Sequence, residues 1–211
     1  MSEKMKLELN PINIKTMKIP IRGRTPLLVN KISDKVRNEI QAKRTGLKMK
    51  VKEKVNPTKD YETKHHKLSD GSFGFPASGF QGAMVELAKS RDIDLGISGK
   101  FIKGAVQIYP EDDSGNLKLE YKEMKSNTSS GRDSSRNRTP IEITRPMFVG
   151  WKCILPVQFD GNVINQEQII NLINYAGWHI GVGAWRPQNM GTYGRFEVDI
   201  ERMNKMSDTE K

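Results

Sequence analysis

The sequence predicts an α+β domain whose elements run strand, helix, strand, strand, helix, strand. Three observations carry that expectation. Two stretches, near Ser78 and Asn165, combine a helix-start signature with an apolar stripe; apolar strand-like runs lie before, between and after them; and two long basic stretches interrupt the order without adding to a core. With 211 residues and 36% hydrophobic content, the chain supports one core and reads as a single domain, 1–211, with insertions at about 31–74 and 111–147.

Between Ile12 and Ile21 the apolar residues fall at Ile12 and Ile14, then at Met17, Ile19 and Ile21, an alternation whose phase slips once. A first strand with a bulge fits, and Pro20 suggests an edge or a strand end. Ile32, Val36 and Ile40 are spaced four apart, which predicts a short helix over Ser33 to Arg44 with Gly46 as its stop. Lysines then dominate from Lys43 to Lys67. In KMKVKEKV, Lys48, Lys50, Lys52 and Lys54 alternate, so one face of an extended arm would present all four; a basic hairpin arm and a mobile loop both fit.

At FPASGFQGAMVELAKS, Ser78 and Gln81 have the spacing of a capping box ahead of Phe80, Met84, Leu87 and Ala88, predicting a helix from about Ser78 to Ser90. Phe101 to Tyr109 reads as a buried strand, Glu111 to Asn116 as a solvated turn, and Leu117, Leu119 and Tyr121 as a short outer strand. Lys122 to Arg145 is rich in Ser, Thr, Asn and Arg and reads as a flexible basic loop. Its Arg132, Arg136, Arg138 and Arg145 either clamp a phosphate backbone or belong to a solvated linker. Phe148 to Phe159 is the strongest strand in the chain. Asn165 with Gln168 opens a second helix, with Ile169, Leu172, Ile173 and Ala176 on its apolar face and Gly177 as its stop. Phe196, Val198 and Ile200 alternate in a last strand, after which the tail should fray. That order is the ferredoxin-like, βαββαβ arrangement, two helices on one face of a four-stranded antiparallel sheet. It also underlies the RNA-recognition motif, whose sheet binds bases, but many unrelated activities share it.

The net charge of +10 and a pI near 9.6 favour polyanionic partners, with nucleic acid the first candidate and a merely soluble basic surface the alternative. Cys153 is the single cysteine and lies in an apolar run, which fits a buried thiol in a reducing compartment and leaves no internal disulfide or cysteine-based zinc site. MSEKMKLELN lacks an apolar signal region and no stretch approaches the ~18 apolar residues of a membrane span, so a cytoplasmic protein is expected. The chain has no P-loop, dinucleotide fingerprint or nucleophile elbow, and no cofactor or metal is expected.

The candidate binding loop is WHIGVGAWRPQNMGTYGRF, Trp178 to Phe196. Gly181, Gly183, Gly191 and Gly194 punctuate it, and Trp185, Arg186, Tyr193 and Arg195 offer stacking and guanidinium contacts to a flat, polyanionic ligand. A plain turn before a last strand is the bland alternative. Lys48, Lys50, Lys52, Lys54, Lys64, His65, Lys67, Arg132, Arg136 and Arg138 are the candidate phosphate or base contacts. His179 reads as structural.

Three stretches line up with a known family. Pro76, Ala77, Ser78, Gly82 and Ala83 at the first helix, the four loop glycines before Phe196, and the entry IPIRGRTPLL (Ile19 to Leu28) together resemble the RAMP superfamily, ferredoxin-like proteins that include crRNA-binding backbone subunits of class 1 CRISPR effectors. The chain departs from the pattern in two places. Met84, Val85 and Glu86 stand where a basic residue is frequent, and Thr192 and Tyr193 separate the last glycine pair. The resemblance implies binding of single-stranded RNA or DNA in repeating register, with subunits stacking into an oligomer or filament, in a CRISPR complex or as a phage or mobile-element protein. Some RAMP-like proteins are ribonucleases, but no catalytic motif appears in this chain and a non-enzyme is expected. Two alternatives stand beside it: an endoribonuclease using His65 or His66, which would need a histidine within hydrogen-bond reach of the scissile phosphate, and a phage-encoded protein that mimics or caps a CRISPR backbone. Basic insertions favour binding over mimicry, since a nucleic-acid mimic is expected to be acidic.

Overall fold

The computed structural model describes residues 11–32, 37–38, 41–42, 44–46, 61–90, 99–110, 112–132 and 140–209. Four strands form the central sheet: β1 (Ile14–Gly23), β5 (Val106–Ile108), β9 (Lys152–Asp160) and β10 (Phe196–Val198), in the order β10-β1-β9-β5. Every pairing in it is antiparallel. Helix α1 (Ala77–Lys89) and helix α3 (Gln166–His179) occupy the crossovers, so the chain has the expected α+β, ferredoxin-like core.

Alternation along β9 decides which side carries the helices. Cys153, Leu155, Val157 and Phe159 are buried and pair across to Ile21, Ile19, Met17 and Lys15 of β1. Phe80, Met84 and Leu87 of α1 and Ile169, Leu172, Ile173 and Ala176 of α3 bury against this face. Cys153 is a core thiol, as expected. By the same alternation Thr16, Lys18, Arg22, Lys152 and Gln158 face the other side. There a C-terminal helix, α4 (Ile200–Thr209), starts as soon as β10 ends, packs Met203 against the margin of the core and joins Arg202 to Glu120. The tail thus forms a helix, and Ile200 is its first residue rather than the last of a strand.

β1 runs from Ile14↔Asp160 to Arg22↔Lys152 in one unbroken register, so the phase slip is not a bulge: Ile12 and Ile14 are simply exposed. Nor is Pro20 on an edge. Its carbonyl accepts from Asp199 N where the chain leaves β10, so its missing donor faces the end of the neighbour's ladder. Pro156 occupies the matching place in β9, accepting from Tyr109 N just past β5.

Two smaller sheets flank this core. β3 (His66–Lys67), β4 (Phe73–Pro76) and β6 (Asn116–Lys118) make one; Leu117 and Leu119 are buried, whereas Tyr121, the third residue of the expected outer strand, is exposed and lies past the end of β6. Asp112 of the acidic turn accepts from the Ser114 hydroxyl and from the backbone of Ser69 and Ser114, and these bonds pull its carboxyl pKa down to about 2. The other sheet joins β2 (Leu27–Leu28), β8 (Pro140–Val149) and β7 (Glu123–Arg132). The segment expected as a flexible loop is therefore largely a two-stranded ribbon, paired from Glu123↔Val149 to Arg132↔Pro140 and anchored where Phe148 and Met147 meet Leu27 and Leu28.

Several local expectations are corrected. α1 starts directly after Pro76 without a side-chain cap, and Gln81 instead bonds Val106 O and Ile108 N of β5. Phe101 to Tyr109 divides into helix α2 (Gly99–Ala105), with Phe101 exposed, and the short β5. The run Phe148 to Phe159 is two strands, turned at Gly150 with Trp151 fully buried between them. The Asn165 capping box forms with both reciprocal bonds. Gly177, however, lies inside α3, where a Cβ would stand 2.2 Å from Phe196 O; the helix stops at Gly181, whose φ is +69°. Of the expected helix Ser33 to Arg44, the described residues Arg37, Asn38, Gln41, Ala42 and Arg44 are helical, and Gly46 has φ +71°. Among the described residues no helix is long and apolar enough to cross a membrane.

Candidate nucleic-acid interface

The Gly-rich loop is a tied structure rather than a slack turn. From the end of α3 it returns on itself through Val182 N to Gly194 O and Tyr193 N to Trp185 O. It is also sewn to the turn between β1 and β2: Ala184 N donates to Leu28 O, Gly194 N to Pro26 O, and both Arg24 N and Thr25 N to Arg195 O. Two glycines make this closeness possible. A Cβ at 194 would stand 1.8 Å from Val182 O, and one at 191 would stand 1.7 Å from Trp185 O.

On this frame Trp185 adopts a left-handed backbone, φ +55°, with half its surface exposed. A bulky residue there is strained, and such strain persists where the surroundings hold it, often at binding sites. Beyond it a 3₁₀ turn (Pro187–Asn189) leads to Met190, also left-handed and 98% exposed. The Arg186 guanidinium grips Gln188 Oε1 through Nε and Nη2 at 2.9 and 2.8 Å. Arg195 donates from Nη1 to Trp178 O at 2.6 Å and lies 4.7 Å over the Trp178 ring. Tyr193 is partly exposed. Trp185, Arg186, Tyr193 and Arg195 thus all lie on this tied loop, with Tyr193 backbone-bonded to Trp185 and the Arg195 guanidinium over Trp178.

Among the described residues, the other expected contacts have their partners outside the loop. Lys64 and His65 are buried, at 8% and 7% exposure. Lys64 donates from Nζ to Thr144 O, and the His65 ring packs between Tyr61 and Phe73, with Nδ1 beside Glu62 O. Burial lowers the His65 pKa and drives that of His66 down to about 4, with Lys31 adding to the latter. Lys67 is exposed on β3, with Nζ 5.8 Å over Phe73. Arg132 ends β7, on the ribbon, and Arg145 on β8 is largely buried and donates to Ser129 Oγ. Lys48, Lys50, Lys52, Lys54, Arg136 and Arg138 lie outside the described residues. Among the described residues no cluster of three or more His, Cys, Asp or Glu could hold a metal ion.

Sequence reasoning missed an aromatic surface on α3. Tyr175, Trp178 and His179 sit on its exposed side, with Tyr175 and His179 stacked at 6.2 Å, so His179 is not a core residue. The signal was available: positions 175, 178 and 179 share one helical face, and the apolar stripe of Leu172, Ile173 and Ala176 leaves that face to solvent.

No family model and no curated protein matches the chain. The crystal structure of Cmr6 from Pyrococcus furiosus is similar over 88% of this chain and 98% of that one, with 14% sequence identity and a TM-score of 0.43. The strand order and registers, not this likeness, define the fold.

Proposed function

We propose that the chain binds single-stranded nucleic acid, RNA or DNA, through the Gly-rich loop, as a RAMP-superfamily protein that coats the strand as an oligomer. One observation carries this reading: Trp185 is held half-exposed in a strained conformation by a hydrogen-bonded frame, on the loop that also carries Arg186, Tyr193 and Arg195. Base-on-aromatic stacking tolerates any sequence because every base has a π-face, and each stacked base contributes ~1–3 kcal/mol. A net charge of +10 supplies long-range attraction to phosphates. No catalysis is assigned. A nuclease using His65 or His66 is disfavoured because the His65 ring is packed between two aromatic rings and burial disfavours the protonated imidazole that a general acid needs.

Trp185→Ala tests the interface. The expected result is about 5- to 150-fold weaker binding of oligouridine or oligothymidine, equivalent to ~1–3 kcal/mol, with the unfolding transition unchanged. Unchanged affinity would remove Trp185 from the interface, and a collapsed fold would make it a structural residue.

A further inference from the structure

Two arginines beside the Gly-rich loop take no part in its surface. Arg22 stands opposite Glu197 in the β1–β10 register, and its Nε donates to Glu197 Oε1 at 2.6 Å. Arg24, in the turn just past β1, brings its own Nε to 2.5 Å from Glu197 Oε2. A single carboxylate thus holds two guanidiniums, each by the same edge atom. The Glu197 side chain is 19% exposed, whereas those of Arg22 and Arg24 are 41% and 54% exposed.

As a link between strands this arrangement has little purpose. Exposed ion pairs contribute little to stability, and one arginine suffices to neutralise one carboxylate. With two, the trio keeps a net charge of +1. Only the Nε groups are used; among the described residues no hydrogen bond takes the Nη groups of either arginine. The Nη groups form the outer part of a fork whose geometry matches phosphate oxygens.

The platform beneath is stiff. Gly23 sits against fully buried Trp151, where a Cβ would lie 2.1 Å from the indole nitrogen, and that nitrogen donates to Thr25 O. Arg24 N and Thr25 N both donate to Arg195 O, and Arg195 N donates to Thr25 Oγ1. The turn presenting Arg24 is thereby fixed to the residue that ends the Gly-rich loop. Side chains oriented before binding lose less freedom when a ligand arrives.

We infer that Arg22 and Arg24, held by Glu197, form a phosphate-binding clamp that takes the phosphodiester of a strand lying across the Gly-rich loop. Glu197 is its positioning residue. The clamp rests on the reading of the loop as a single-strand interface, and it names a phosphate site outside the loop's own side chains.

The test pairs salt-dependent binding with a direct view of the guanidiniums. Labelled oligouridine is titrated against the wild-type chain, the Arg22→Ala/Arg24→Ala variant and the Arg22→Lys/Arg24→Lys variant, and the Arg Nε–H NMR signals of the wild type are followed as inorganic phosphate is added. The alanine pair is expected to bind more weakly and to flatten the plot of log affinity against log salt by about 0.7 for each phosphate it no longer neutralises. The lysine pair is expected to keep the slope while losing affinity, because it retains charge without the fork. The Arg22 and Arg24 signals should shift with phosphate. Wild-type binding with the same affinity and slope in the alanine pair would overturn the clamp and leave the loop reading standing. Failure of the wild type to bind any strand would overturn the loop reading; unmoved Arg22 and Arg24 signals would then overturn the clamp as well. Should the alanine pair fail to fold, the lysine pair and the wild-type signals decide.

Discussion

Gly191 meets Trp185 so closely that a Cβ on residue 191 would stand 1.7 Å from the Trp185 carbonyl oxygen. That same carbonyl accepts from Tyr193 N, and Gly191 N donates to Arg186 O, so this approach shapes the exposed turn between them.

Gly191→Ala is therefore expected to force the turn open. The clash is with backbone, which cannot rotate away as a side-chain end can, and overpacking of this kind costs about 1–3 kcal/mol. Chemical denaturation should show that drop in stability, and single-strand binding should weaken with it.

Trp185 itself adopts a backbone that asparagine takes readily and tryptophan does not. Trp185→Asn is expected to leave the denaturation midpoint unchanged or raise it by up to ~1 kcal/mol in stability, while nucleic-acid affinity falls. Opposite signs for stability and binding would mark strain kept for function; a joint loss would place the indole in the core.

The capping box at α3 gives a purely structural expectation. Asn165 accepts from Gln168 N at 2.8 Å, and Gln168 Oε1 accepts from Asn165 N at 3.0 Å. Asn165→Ala should cost about 0.5–2 kcal/mol in a denaturation experiment, with single-strand affinity unaltered at native conditions.

Acid should destabilise the fold partly through His66. Its pKa in the folded chain, lowered to about 4 by burial and by Lys31, lies below the ordinary histidine value of 6.5. The unfolded chain then binds the extra proton between those values, so this contribution is complete above the upper one and is lost as pH falls towards the lower. His65, also lowered, adds in the same direction. Denaturation midpoints at neutral and mildly acidic pH should differ less in His66→Gln than in the wild type.

The elements that were legible in sequence are those fixed by local chemistry. The apolar run that holds Cys153 and Leu155, the stripe of Ile169, Leu172, Ile173 and Ala176, and the Asn165 box all hold without reference to distant residues. Where tertiary partners compete, the local pattern failed. The Ser78 and Gln81 spacing mimics a capping box, but Gln81 finds the backbone of β5. The Ser/Thr/Asn-rich stretch from Lys122 lacks an apolar pattern, yet its backbone is recruited into a ribbon because Phe148 and Met147 at the far end pair with Leu27 and Leu28, and Thr128 meets Thr144 across the strands. The same limit holds for the candidate site. The Gly-rich loop stands out by composition, whereas the Arg22, Arg24 and Glu197 trio emerges only when residues about 175 apart are brought opposite one another by the β1–β10 register.

The most direct test is binding of labelled single-stranded RNA, single-stranded DNA and duplex across a salt series, recording the size of the complex as the strand lengthens. The expected result is preferential single-strand binding, a steep salt slope and stepwise growth of the complex. Weak binding of all three would contradict a strand-coating protein and point to a protein partner for the exposed Trp185 and Met190 surface.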